Sequence, residues 1–178
     1  LVPEATMAQR ISRAKRTVAA EGLTGPGDLG RVLQVLYLIF KEGYTGDIDL
    51  AAESIRPTRE LVSQTDDPEA AGLLALLLLH HARRPSRFTR DGALVTLAEQ
   101  DRSLWDTHLI NEGIGILQAA LACDALGEFQ IQAAIAALHA DAPNTRETDW
   151  VQIVEWYDEL AARTDNPVTA MTATLSLE

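Results

Sequence analysis

From Ala70 to Leu79 the chain reads Ala-Ala-Gly-Leu-Leu-Ala-Leu-Leu-Leu-Leu, ten residues without a polar side chain. Asp67 supplies an N-cap in front of it, and Pro68 suits a first helical position, where its missing N–H costs nothing. His80, His81, Arg83 and Arg84 follow in front of Pro85, cations where a helix C-terminus favours them. A helix that is apolar on every side has to be wrapped by other elements. It is also far short of the roughly 20 residues that span a bilayer. The central helix of a helical core is therefore expected over about 67–84, with no membrane segment and no signal peptide at the start of the chain.

The surrounding segments carry the same 3.6-residue period. A first helix is expected from about Leu29 to Glu42, behind Asp28 and stopped by Gly43, and a second from about Leu50 to Gln64 behind Asp49. Pro57 lies inside the second, where it removes a helical hydrogen bond at a cost of about 3 kcal/mol, so a kink or break is expected. After the central helix, Phe88, Leu94, Val95 and Leu97 flank Asp91-Gly92, which predicts a small β-hairpin or ordered loop in 86–100. Trp105, Leu109, Leu117 and Leu121 then mark a fourth helix ending near Cys123. Ile131, Ala134, Ile135 and Leu138 mark a fifth, Ile153, Val154, Tyr157, Leu160 and Ala161 a sixth, and Asn166-Pro167 opens a seventh. Cys123, the single cysteine, reads as a small buried residue of the fourth helix and excludes an internal disulfide. The spaced Trp, Gly, Tyr, Ala and Pro positions of a strict tetratricopeptide repeat do not lie over successive units of about 34 residues. The expected fold class is all-α: an irregular tetratricopeptide-like array of helical hairpins, about seven helices with one small insertion, preceded by one basic helix.

That basic helix begins the chain. Pro3 suits a first turn, Met7, Ile11, Ala14 and Val18 share one face, and Thr6, Gln9, Arg10 and Arg13 share the other. Arg10, Arg13, Lys15 and Arg16 stand against Glu4 alone in residues 1–20, although the whole chain has a net charge of −11. The acidic remainder repels nucleic acid, so any DNA contact belongs to this helix. Gly22, Gly25, Pro26, Gly27 and Gly30 follow as a linker.

Residues 2–16 are similar to the last helix of the region 4 helix-turn-helix in sigma factors of the extracytoplasmic-function (ECF) type, which reads Pro-x-x-Thr-(apolar)-x-x-Arg-(apolar)-x-Arg-Ala-(Lys/Arg). Pro3, Thr6, Met7, Arg10, Ile11, Arg13, Ala14 and Lys15 fall on that pattern. The rest of the chain resembles the long tetratricopeptide-like C-terminal extension that one branch of these factors carries. The matching blocks are 35–44, 73–85, 101–106 (Asp-Arg-Ser-Leu-Trp-Asp), 129–140 and 148–150. The resemblance implies three parts: the end of sigma region 4 over 1–20, a linker over 21–28, and the helical extension over 29–178. It implies a bacterial, cytoplasmic transcription-initiation factor that works with RNA polymerase core and promoter DNA. Thr6, Gln9, Arg10 and Arg13 would face the promoter −35 element, with Lys15 and Arg16 on phosphate. The extension would bind other sigma domains, polymerase, or a small regulatory protein of the DGPF or YCII-like type. Since the chain begins without an initiator Met and in mid-motif, it is read as a fragment of a longer protein.

Catalysis is not expected. His80, His81, His108 and His139 show no His-x-x-x-His or Glu-x-x-His spacing, and a single cysteine makes no metal cluster. No nucleophile elbow, phosphate loop or dinucleotide fingerprint occurs, and Gly113-Ile-Gly115 lies inside a helical pattern. Neither a metal nor another cofactor is expected. What remains is a candidate partner surface of polar groups beside aromatics: Glu42, Arg83, Arg84, Arg87, Asp101, Arg102, Trp105, Gln130 and Gln132. Each has a structural reading too, with Asp101 or Ser103 as an N-cap, Arg83 and Arg84 answering a helix C-terminus, and Trp105 filling core. The rival function is a free-standing helical-repeat scaffold or small-molecule sensor with no DNA role.

Overall fold

The computed structural model of the protein describes residues 27–43 and 50–164. The basic helix with Thr6, Gln9, Arg10, Arg13, Lys15 and Arg16, most of the linker, and the seventh helix lie outside the described residues. Within them run six α-helices: α1 (Leu29–Glu42), α2 (Leu50–Gln64), α3 (Pro68–Ala82), α4 (Thr107–Leu121), α5 (Glu128–Asp141) and α6 (Trp150–Arg163). Three single 3₁₀ turns lie between them, Arg84–Ser86, Arg102–Leu104 and Thr145–Glu147. The array is all-helical, with no named strand among the described residues. By contact the chain divides into two units, Leu1–Val32 and Leu33–Glu178. In the first, Asp28 starts α1, its carboxylate accepting from Arg31 N at 3.3 Å and Arg31 Nε at 3.0 Å. The packing described below belongs to the second.

α3 is the centre of that unit. It packs on α2, α4 and α5, while α5 packs also on α4 and α6. Every residue from Gly72 to Leu79 is buried. Asp67 caps the helix as its sequence predicts, accepting from Glu69 N and Ala70 N, and Pro68 fills the first turn. Two glycines set the spacing of the layers. A Cβ on Gly72 would come within 2.5 Å of Gln130 Cγ on α5, and one on Gly113 of α4 within 3.1 Å of Leu79 Cγ on α3. Without side chains at these points the backbones come closer than a larger residue permits.

Several expectations change in detail. α2 runs unbroken through Pro57; Thr58 Oγ1 donates to Ser54 O and Ser54 Oγ to Ala51 O from its buried face. Trp105 precedes α4 rather than opening it, because Asp106 is the N-cap and directs the helix to start at Thr107. The insertion is a hairpin of minimal size, a lone antiparallel bridge between Phe88 and Leu94. Its loop spans three residues, not two: Gly92 N donates to Thr89 O, Thr89 N donates to Ala93 O, and Gly92 takes φ +84°. Glycine tolerates that left-handed conformation without the steric cost of a side chain. Cys123 is exposed, not buried, since α4 ends at Leu121 and Cys123 falls in the turn beyond its cap.

Candidate functional site

The block Asp101 to Asp106 is a junction. Asp101 Oδ1 accepts from Ser103 N and Oγ and so caps the 3₁₀ turn, with its carboxyl held below the usual range by those bonds. Arg102 reaches across to the C-terminal end of α5, where Nη1 donates to His139 O at 2.6 Å and Ala142 O at 2.8 Å. Cationic donors suit the orphan carbonyls of a helix end. Trp105 is buried, donates from Nε1 to Ser86 Oγ at 2.7 Å, and lies beneath the Arg102 guanidinium at 4.4 Å and that of Arg83 at 5.8 Å. Asp106 caps α4, and its own N–H donates to Ala82 O at the end of α3. Six residues thus tie together the ends of three helices.

Above this junction α1, α3, α5 and α6 wall a cavity of about 560 Å³. Tyr37 and Lys41 come from α1, His80 and Arg83 from the end of α3, Gln132 and His139 from α5, and Tyr157 from α6. Lys41 Nζ sits 5.7 Å from the Tyr37 ring centroid. Arg83 Nη2 lies 2.8 Å from His80 Nδ1. A guanidinium only donates, so Nδ1 accepts and the His80 proton sits on Nε2. Burial, with the Arg83 and Arg87 charges behind it, holds the His80 pKa well below the ordinary histidine value. Burial, then the Arg83 and Arg102 charges, bring His139 down to about 4. Both imidazoles are neutral near pH 7, as donors and acceptors rather than cations. Burial alone raises the Tyr37 hydroxyl.

A family model matches residues 28–121, more than half of the chain; it describes a family of unknown function, DUF6596. The chain belongs to the DUF6596 family. An uncharacterized protein of Rhizobium meliloti (strain 1021) is 41% identical over 187 residues, a match that covers 96% of this chain and 44% of that protein. The chain thus spans less than half the length of this relative. No solved structure matches. The DUF6596 match takes in α1 to α4 with the hairpin and the junction block, while α5 and α6, which complete the cavity, lie beyond it.

Of the proposed partner surface, the fold brings some residues together and withdraws others. Trp105, 5% exposed, and Gln130, 0% exposed, are core residues and are not available to a partner. Gln130 packs against Gly72 and donates from Nε2 to Ala125 O at 2.7 Å, its long polar side chain filling the space the glycine leaves. Arg102 is committed to the end of α5. Arg83, Arg84 and Arg87 cluster around the turn Arg84–Ser86, half-buried, with Arg83 as the C-cap of α3. Asp101 and Glu42 are exposed on separate elements, and Gln132 belongs to the cavity.

Sequence reasoning passed over Glu69, Tyr37, Lys41 and Tyr157. Glu69 Oε1 accepts from Phe129 N at 2.7 Å and Oε2 from Gln130 N at 3.3 Å, capping α5 from α3. A glutamate at the second position of a capped helix gives no local sign of a task sixty residues away. The Tyr37–Lys41 pair was visible as an i, i+4 spacing within the first expected helix, and it carried no site role there. Among the described residues no group of three His, Cys, Asp or Glu could hold a metal ion, and no helix is long and apolar enough to cross a membrane.

Proposed function

We propose that this chain is the C-terminal part of an ECF-type sigma factor: the end of region 4, a linker, and a helical regulatory extension that binds protein. The observation that carries the reading is the run Pro3, Thr6, Met7, Arg10, Ile11, Arg13, Ala14, Lys15 directly in front of an all-helical array. The length of the Rhizobium meliloti relative supports it, because more than half of that protein lies outside the match and leaves room for the polymerase-binding parts a sigma factor needs. In this reading the working surface of the extension centres on Arg84 and Arg87, with Trp105 and Gln130 acting from the core. Its partner is another sigma domain, polymerase, or a DGPF or YCII-like protein in the bacterial cytoplasm.

The test is promoter-dependent transcription by the complete protein with RNA polymerase core. Arg10→Ala with Arg13→Ala should abolish promoter-specific transcripts while the melting temperature holds, and Arg84→Ala with Arg87→Ala should reduce them. A complete protein that neither binds polymerase core nor directs transcription would overturn the reading. The free-standing scaffold or small-molecule sensor draws its support from the cavity, and it would then stand.

A further inference from the structure

We propose that the pocket between α4, α5 and α6 is a binding site for a small organic amine, which lays its apolar body against Leu117, Leu121 and Leu138 and its ammonium group on the Asp141 carboxylate. This goes beyond the sigma-factor reading and does not depend on it.

The pocket has a volume of about 300 Å³, at the lower end of the range of small-molecule sites, roughly 300–1,000 Å³. Its walls are aliphatic, with Leu117 and Leu121 from α4 and Ala134 and Leu138 from α5. Gln118, Gln152, Trp156 and Asp141 supply the polar groups, and Asp141 is the one charged side chain among the described residues that line it. Asp141 is also the last residue of α5, where the helix dipole disfavours an anion. The cation at that helix end does not answer it. Arg102 donates to the carbonyls of His139 and Ala142 and is not part of the pocket wall. Among the described residues Asp141 has neither an ion pair nor a hydrogen-bond partner.

The three tryptophans of the chain differ in the same way. Trp105 Nε1 donates to Ser86 Oγ at 2.7 Å and Trp150 Nε1 to Thr145 O at 3.2 Å. Trp156, half-buried on the pocket wall, has no acceptor for its indole N–H among the described residues. Indole N–H groups usually find a partner when the ring is buried. A ligand with an acceptor beside its amine meets a donor here, while its ammonium group meets the carboxylate. A pocket with one negative charge and no positive one selects a cation, and the field of a chain of net −11 draws cations toward it.

Phenoxypropylamine, whose ether oxygen is such an acceptor, and hexylamine serve as probes. Each is paired with the alcohol that carries a hydroxyl in place of the ammonium group. Titrated into the 178-residue chain and followed by NMR, at least one amine should shift the Trp156 indole N–H signal saturably, while that of Trp105, bonded within the junction, stays in place. The alcohols should bind about threefold or more weakly, the effect of one partly exposed ion pair. Asp141→Asn should abolish that preference at an unchanged or slightly raised melting temperature, because it removes an anion from a helix C-terminus. Ala137→Leu, which fills the pocket from α5, should abolish binding of the amine; Asp141→Asn decides the matter if that variant does not fold. Equal binding of amine and alcohol would overturn the proposal, as would no saturable shift with either amine, or a preference for the amine that survives in Asp141→Asn. So would shifts produced only by a Lys-rich peptide, which would make the pocket a docking groove for a basic chain.

Discussion

Helix α4 starts on its own aspartate, with Asp106 Oδ1 accepting from His108 N at 2.9 Å and Leu109 N at 3.1 Å, and it presents a buried stripe of Ile110, Gly113, Leu117 and Ala120. Helix α5, one residue shorter, starts at Gly127 without a side-chain cap and ends at Ala142, and it is buried nearly all round from Phe129 to Ala136. Both of its ends are finished by other elements. Glu69 of α3 takes its first N–H groups, and Arg102 of the junction block donates to its last carbonyls. An anion at the N-terminus and a cation at the C-terminus both oppose the helix dipole in the stabilising sense. α4 thus carries its own N-terminal punctuation, whereas α5 takes both of its ends from the elements that surround it.

Glu69→Ala is the strongest way to break this contrast. It strands Phe129 N and Gln130 N at the half-buried start of α5, while Gln130 Nε2 keeps Ala125 O, and about 3 kcal/mol of stability should be lost in urea unfolding. Glu69→Gln, which keeps an acceptor, should lose clearly less. A cost under about 0.5 kcal/mol, the level of an ordinary surface change, would mean that α5 needs no cap from α3. Next in size is Arg102→Ala, at about 2 kcal/mol, since it removes two charged hydrogen bonds and the stacking on Trp105. Arg102→Lys should recover only part of it, because an ammonium lacks the planar fork. Asp106→Ala, the local cap of α4, should cost about 1 kcal/mol. If it proved costlier than Glu69→Ala, the contrast would be reversed.

A further effect is spread over the acid range. His139, at the Arg102-held end of α5, has its pKa lowered from 6.5 to about 4, so the unfolded chain binds this proton first. The stability from keeping it neutral is complete above about pH 6.5 and is lost as pH falls toward 4. Glu69 acts with the opposite sign. Burial raises its folded pKa, and its contribution to stability declines as pH rises through that value. Melting curves should therefore show that His139→Gln flattens the decline between pH 6.5 and 4. An identical slope in the variant would remove His139 from this part of the profile.

The same contrast governs what was legible in the sequence. Asp67-Pro68 and the apolar run behind it located α3 and made it central, because cap, first-turn proline and hydrophobic pattern all act over a few neighbouring residues. Asp91-Gly92 marked the hairpin, and only the length of its loop differed. For α5 the apolar residues Ile131 to Leu138 were plain, yet its ends were not, since Glu69 and Arg102 lie far away in sequence. Gln130 read as a surface group for a related reason: a glutamine in a helix is usually exposed, and its burial depends on Gly72 making room far earlier in the chain. The cavity was hidden in the same way. Tyr37, His80, His139 and Tyr157 sit on four different helices, and only the packing of those helices makes them neighbours.

Because Glu69 and Arg102 both precede residues 128–141 in the chain, each leaves the ribosome before the helix it completes. Synthesis is vectorial, and N-terminal parts fold first. Residues 128–141 therefore emerge against α3 and the junction already translated, a template whose two charges stand at the places where the new helix must begin and end.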